Sequence, residues 1–182
     1  MNEMIQPTPT KIIYVHAHEQ PTLDELASQV EFRREIDEAD LTPEKLGHQP
    51  TILILDDVFA DLSDRFLYRA FTSISHHASC SILCVLQHLF MKTKAMRVLQ
   101  TNSHYSTLFR SPRDMLSIRH LNTQMFPHNP GFLTWAFGDA TRGERFSSLT
   151  LDCSPESDDD TRVRKTSFPG DQKVVVYMPE QK

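Results

Sequence analysis

Two adjacent carboxylates, Asp56 and Asp57, close the apolar run Thr51–Leu55. A hydrophobic strand that ends in acidic residues delivers them to one edge of a sheet. In open α/β sheets, ligands bind outside the carboxyl ends of the strands. At such an edge one carboxylate can hold Mg2+, and a second group can orient an attacking water, as phosphoryl transfer requires. The bland alternative stays open: Asp56 can cap the turn or helix that follows. Gln87 ends the next apolar run, Ser81–Leu86. A neutral amide there can sense a terminal phosphate or orient water. It can equally be a strand-end polar group that bonds the backbone.

The remaining candidates carry less. His76 and His77 are adjacent, and His16 and His18 lie close together, which invites a zinc reading. Zinc needs three or four convergent ligands, and no Cys/His cluster of ligand spacing accompanies them. Cys80 and Cys84 flank and enter an apolar strand, where free cysteines usually pack. Arg97, Arg110, Arg113 and Arg119 follow Gln87; they can contact phosphate, but helix-surface residues are the default reading.

These groups need elements to position them. Lys11–Val15 reads as a short buried strand. Pro21 opens a stretch whose Leu23, Leu26, Val30 and Phe32 follow helical spacing. Thr51–Leu55 is apolar on both faces, as in a parallel sheet covered on both sides. Leu62, Phe66, Leu67, Ala70, Phe71 and Ile74 form one helical stripe. Ser81–Leu86 is a further strand, and Met91–Leu99 a short helix. Tyr105–Phe109 is a strand candidate. Pro112 opens a helix through about Gln124, and a helix over Phe132–Ala140 follows. Ser147–Asp152 is another strand. An acidic, solvated SPESDDD segment precedes a last short strand or extended tail over Val174–Tyr177. Strand and helix alternate, which predicts an α/β fold with a mostly parallel sheet flanked by helices. The expected organisation is a flexible leader over 1–10, one domain over 11–152, and an acidic linker with a basic, extended tail of the same domain over 153–182.

Composition narrows the classes. The chain has 182 residues, one domain's worth, with 39% hydrophobic and 24% charged residues. That balance is globular rather than disordered. The formal net charge is -5, from 19 basic and 24 acidic residues, so bulk charge does not announce a nucleic-acid binder. Three cysteines without paired spacing give no disulfide framework and point to a reducing compartment. No apolar run approaches the roughly 20 residues that span a bilayer, and MNEMIQPTPTK lacks a secretory signal's apolar core. An intracellular setting, with no membrane partner, is expected. Only 5 glycines occur, and none begins a G-x-x-x-x-G-K-[ST] or a G-x-G-x-x-G.

The motifs form an ordered series. Asp56–Asp57 is followed by Ser75–His77, by Gln87 with Leu89–Phe90, and by Asn102–Tyr105 with Leu108–Phe109. Pro112–Asp114 and Gln124–Pro127 come next. This series resembles the DNA-packaging ATPases of Maverick/Polinton transposons and related large DNA viruses, in the HerA–FtsK branch of P-loop NTPases. LTLD at 149–152 with the later basic run TRVRKTSFP is similar to the family's closing segment, although Phe146–Leu149 departs from its usual G-Y-L approach. KIIYVHAHEQPTLDEL resembles the strand and helix after its first helix. The resemblance covers about Lys11 to Pro179.

The resemblance implies a P-loop NTPase-like fold of the ASCE type and ATP-driven translocation of double-stranded DNA into a capsid through its portal, by a homo-oligomeric ring. ATP and Mg2+ are the implied cofactors. Asp56 would hold Mg2+, Asp57 would polarise the attacking water, and Gln87 would sense the γ-phosphate. Asn102 is a weaker candidate at the same edge. A neighbouring subunit would supply an arginine finger. In the family a G-x-x-x-x-G-K-[ST] loop precedes the KIIYV strand, and its strand lies between the one ending at Gln87 and the one near Tyr105. This chain begins after that loop. The expectation is therefore a truncated or decayed packaging ATPase, lacking the P-loop strand and first helix and inactive by itself. Two alternatives from other classes are a non-catalytic interaction or DNA-binding remnant that joins an intact ring, and a metal-dependent nuclease using Asp56, Asp57 and Glu19.

Overall fold

The computed structural model describes residues 8–17, 30–36, 39, 41–46, 49–59, 61–75, 79–90, 93–143, 145–167 and 173–180. His18, Glu19, His76, His77 and the stretch from Pro21 to Gln29 lie outside the described residues. The chain divides into two compact units, Met1–Asn102 and Ser103–Lys182.

The first unit holds a four-stranded parallel sheet. Its strands are β1 (Lys11–His16), β2 (Glu31–Arg33), β3 (Thr51–Asp56) and β4 (Cys80–Val85), in the order β2-β1-β3-β4. β-branched residues make up half of β1 and half of β3, which suits a pleated, buried surface. The register pairs His16 with Asp56, and Asp56 with Val85, so three strands end level with one another. That common C-terminal edge is where the acidic pair sits.

One sheet face is covered by helices. Ile13, Val15, Leu53 and Leu55 point into a core with Phe66, Leu67, Ala70, Phe71 and Ile74 and with Ala95, Met96 and Leu99. A four-residue helix, α1 (Pro43–Leu46), precedes β3. The stripe expected over 62–74 forms α2 (Asp64–Arg69), which runs on as a π-helical turn over Ala70–Ile74. Ser63 caps α2 by accepting the Phe66 N–H at 3.1 Å. Helix α3 (Lys94–Asn102) completes the layer, starting three residues later than the sequence reading.

One strand differs from its sequence reading. Phe32 belongs to β2 rather than to a helix. Pairing with Tyr14 in the sheet outweighs its helical spacing, and the two rings pack at 5.6 Å. β4, apolar but for Ser81, is the last described strand of its sheet. Ile82 and Cys84 pack against the core. Leu83 and Val85 on the other face remain 53% and 46% exposed. An apolar run does not by itself separate a central strand from one at a sheet's end.

The second unit is antiparallel, which the alternation of strands and helices did not anticipate. Strands β5 (Tyr105–Phe109), β6 (Ser148–Asp152), β7 (Val163–Lys165) and β8 (Val176–Tyr177) pair in that order. Helices α4 (Met115–Met125) and α5 (Phe132–Ala140) pack together, and α5 lies against β6 and β7. Asn122 joins the helices: its amide donates to the Asn129 carbonyl at 3.1 Å and its oxygen accepts the Leu133 N–H at 2.7 Å. Gly131 precedes α5 with φ of 85°, a left-handed value that suits glycine.

The acidic segment between β6 and β7 is gathered by one side chain. Arg162 donates to the carbonyls of Asp152, Ser154 and Ser157, at 3.2, 2.9 and 2.8 Å, and pairs with Asp159 at 2.7 Å. Arg164 pairs with Asp152 at 2.7 Å. Burial pushes Asp152 up, but hydrogen bonds from Ser157 and Ser154 and the Arg164 charge outweigh it and hold its carboxyl below the ordinary range. We expect Arg162→Ala to destabilise the chain by about 2 kcal/mol, since hydrogen bonds from a charged donor are worth about 1.5–3 kcal/mol. Arg162→Lys should not restore the loss, because an ammonium lacks the planar fork. A urea midpoint equal to wild type for Arg162→Ala would refute this.

Candidate functional site

The C-terminal edge of the parallel sheet forms a cleft of about 240 Å³, lined by His16, Ala17, Asp56, Asp57, Val85, Leu86 and Gln87. Strand β3 carries Asp56 as its last residue, with Asp57 just beyond. β4 leads into Gln87, and β1 ends in His16. Asp56, Asp57 and Gln87, three positions singled out from sequence, therefore converge. The Gln87 amide Nε2 donates to Asp57 Oδ2 at 2.8 Å across 30 residues of chain.

Asp57 has φ of 55°, in the left-handed region. Its N–H donates to the Val85 carbonyl at 3.4 Å, so the chain turns while the neighbouring strand is still in register. Asparagine, aspartate and glycine visit this region more readily than other residues. The bend places the Asp57 side chain beside Gln87 instead of continuing the in-and-out alternation of β3.

Asp56 is held from the opposite side. The Tyr14 hydroxyl donates to Asp56 Oδ2 at 2.6 Å. Burial, then this bond and the Asp56 charge, push the Tyr14 phenol up to about 12, so it stays a donor through the neutral range. The Tyr14 ring packs at 5.9 Å from His16 and 5.6 Å from Phe32. His16 is itself buried.

No family model, curated protein or solved structure matches this chain.

Asn102 stands apart from the cleft. It ends α3, its side-chain amide donates to the Val98 carbonyl one turn back at 2.8 Å, and it does not line the cleft. Tyr14 and His16 were not singled out for a shared role with the acidic pair. Their nearness to Asp56 depends on the β1–β3 register, which no local pattern encodes. The only available signal was two polar-tipped residues at alternate positions of a strand that is otherwise apolar after Lys11.

Cys80 and Cys84 behave as packing residues. Burial pushes the Cys80 thiol up to about 11 and that of Cys84 to about 12, far from thiolate chemistry at neutral pH. Among the described residues, no three His, Cys, Asp or Glu side chains gather in a cation-binding group. The donor set suits Mg2+ better than an all-protein cage. Mg2+ takes one or two carboxylates and fills its shell with waters and phosphate oxygens. Asp56 would supply one such carboxylate. A triphosphate is a different matter: the sequence holds no glycine-rich loop to cradle it.

Proposed function

We propose that the first unit is the metal-holding and water-activating part of an ATP-hydrolysing site in a DNA-packaging ATPase of the Maverick/Polinton and large-DNA-virus type. One observation carries the reading. The hydrogen bond from Gln87 to Asp57 joins the ends of two parallel strands that the motif series assigns to γ-phosphate sensing and water activation. The fold shown is α/β with a four-stranded parallel sheet flanked by helices. Its P-loop NTPase-like type is part of the proposal.

In this reading Asp56 would hold Mg2+, which would neutralise charge on the phosphates. Asp57 accepts a proton from the attacking water. Gln87 holds the Asp57 carboxylate by one oxygen and, as an amide with two donor hydrogens, has a second to offer a phosphate. Double-stranded DNA, a capsid portal and further copies of the subunit are the partners of this activity. In this reading the phosphate cradle would be a glycine-rich loop that these 182 residues do not contain.

Calorimetry tests the reading. The chain alone should bind ATP–Mg2+ no better than millimolar, because two carboxylates without backbone donors repel phosphates. Joining a G-x-x-x-x-G-K-[ST] strand, loop and helix ahead of β1 should tighten binding to micromolar. Equal affinity with and without that segment would sink the proposal. Micromolar ATP affinity in the chain alone would show a phosphate site elsewhere.

A second reading, a non-catalytic subunit that associates with an intact ring, is favoured by the exposed apolar pair Leu83 and Val85 on β4. It predicts association with an intact ATPase and no gain of hydrolysis when the loop is joined.

A further inference from the structure

We propose that Tyr14 is a positioning residue for Asp56, fixing that carboxylate for a divalent cation and making β1 a working strand of the site. This rests on the reading of Asp56 as the cation ligand and extends it to a residue that the motif series leaves out.

The geometry is specific. The register sets Tyr14 beside Ile54 and His16 beside Asp56, so the Tyr14 hydroxyl reaches diagonally, two residues further along β3. It closes to 2.6 Å on Oδ2. The ring cannot swing freely, because it is flanked by His16 on its own strand and by Phe32 on β2, its register partner. Asp56 is the terminal residue of its strand. The phenol, flanked by two neighbouring rings, bonds one of its carboxylate oxygens. Gln87 does the same for Asp57 from the other side. Each member of the acidic pair is thus restrained by a different adjoining strand. Groups that hydrogen-bond to metal-ligating carboxylates typically change metal affinity or activity by about 10–100-fold when removed.

The test uses Mn2+ alone as the probe, with the chain as it stands. Its affinity is read from water-proton relaxation, and its location from line broadening of 13C-labelled tyrosine rings. Tyr14→Phe removes the hydroxyl and keeps the ring. The expected result is Mn2+ binding weakened roughly tenfold, with an unchanged melting temperature. Asp56→Asn should abolish binding. In the wild type, the Tyr14 ring signal should broaden before those of Tyr68, Tyr105 and Tyr177. Wild-type affinity in Tyr14→Phe, with Asp56→Asn still defective, overturns the positioning role and leaves the cation reading standing. A lowered melting temperature with wild-type affinity also overturns it, by assigning Tyr14 to packing. Full Mn2+ affinity in Asp56→Asn removes the cation reading itself.

Discussion

With a phosphate-loop segment joined ahead of β1, Asp57→Asn should retain ATP affinity within about twofold while turnover falls by about two to four orders of magnitude. The size follows from losing a general base, whose contribution is typically 10²–10⁴-fold. The substitution is well suited to the question. Asparagine has nearly the shape of aspartate and tolerates left-handed backbone at φ of 55°. Its amide oxygen can still accept the Gln87 hydrogen bond. Loss of turnover would therefore report the missing charge and not a broken turn. Single-turnover kinetics beside equilibrium binding separates the two effects. Turnover equal to the parent would assign Asp57 to the turn alone.

The second large effect concerns β4. The unmodified chain should self-associate, and should melt below about 55 °C, the middle of the usual range for mesophile domains. β4 ends its sheet among the described strands, and Leu83 and Val85 face outward beside it. A terminal strand offers unpaired backbone donors and acceptors to another strand, and apolar side chains add to the attraction. Natural sheets commonly blunt such edges with charge, and β4 carries none. The double change Leu83→Lys and Val85→Lys should turn a concentration-dependent mass in light scattering into that of a monomer. A cooperative, monomeric wild type melting above about 55 °C would show that β4 needs no partner.

Much of the parallel sheet was legible because its strands are self-announcing. Thr51–Asp56 is a run of β-branched and leucine residues closed by an acid, and Lys11–His16 carries Ile12, Ile13 and Val15. α5 also matched its sequence reading, since Pro130 and Gly131 mark its start and its stripe is strongly apolar. The antiparallel sheet was not legible. β7 and β8 span three and two residues, too short for a period of two to register. β2 was hidden for a related reason: Glu31–Arg33 is polar, and only Phe32 against Tyr14 shows its place.

The site divides along the same line. Asp56, Asp57 and Gln87 were readable because each terminates an apolar run, and parallel strands bring their ends to one edge. Tyr14 was not, because its role depends on a diagonal reach across two paired strands. Asn102 was the weaker candidate for the same edge. It ends a helix whose own Val98 carbonyl takes its amide.

The backbone at Asp57 has a consequence for how sequences related to this one would drift. Its left-handed turn screens replacements by shape before chemistry is considered, and only glycine and asparagine pass beside aspartate at little cost. Either would preserve the bend while discarding the negative charge. In a lineage released from selection for turnover but still held to its fold, this position should therefore fill with asparagine or glycine well before alanine or valine. The residue found there would act as a tally of which constraint lapsed first.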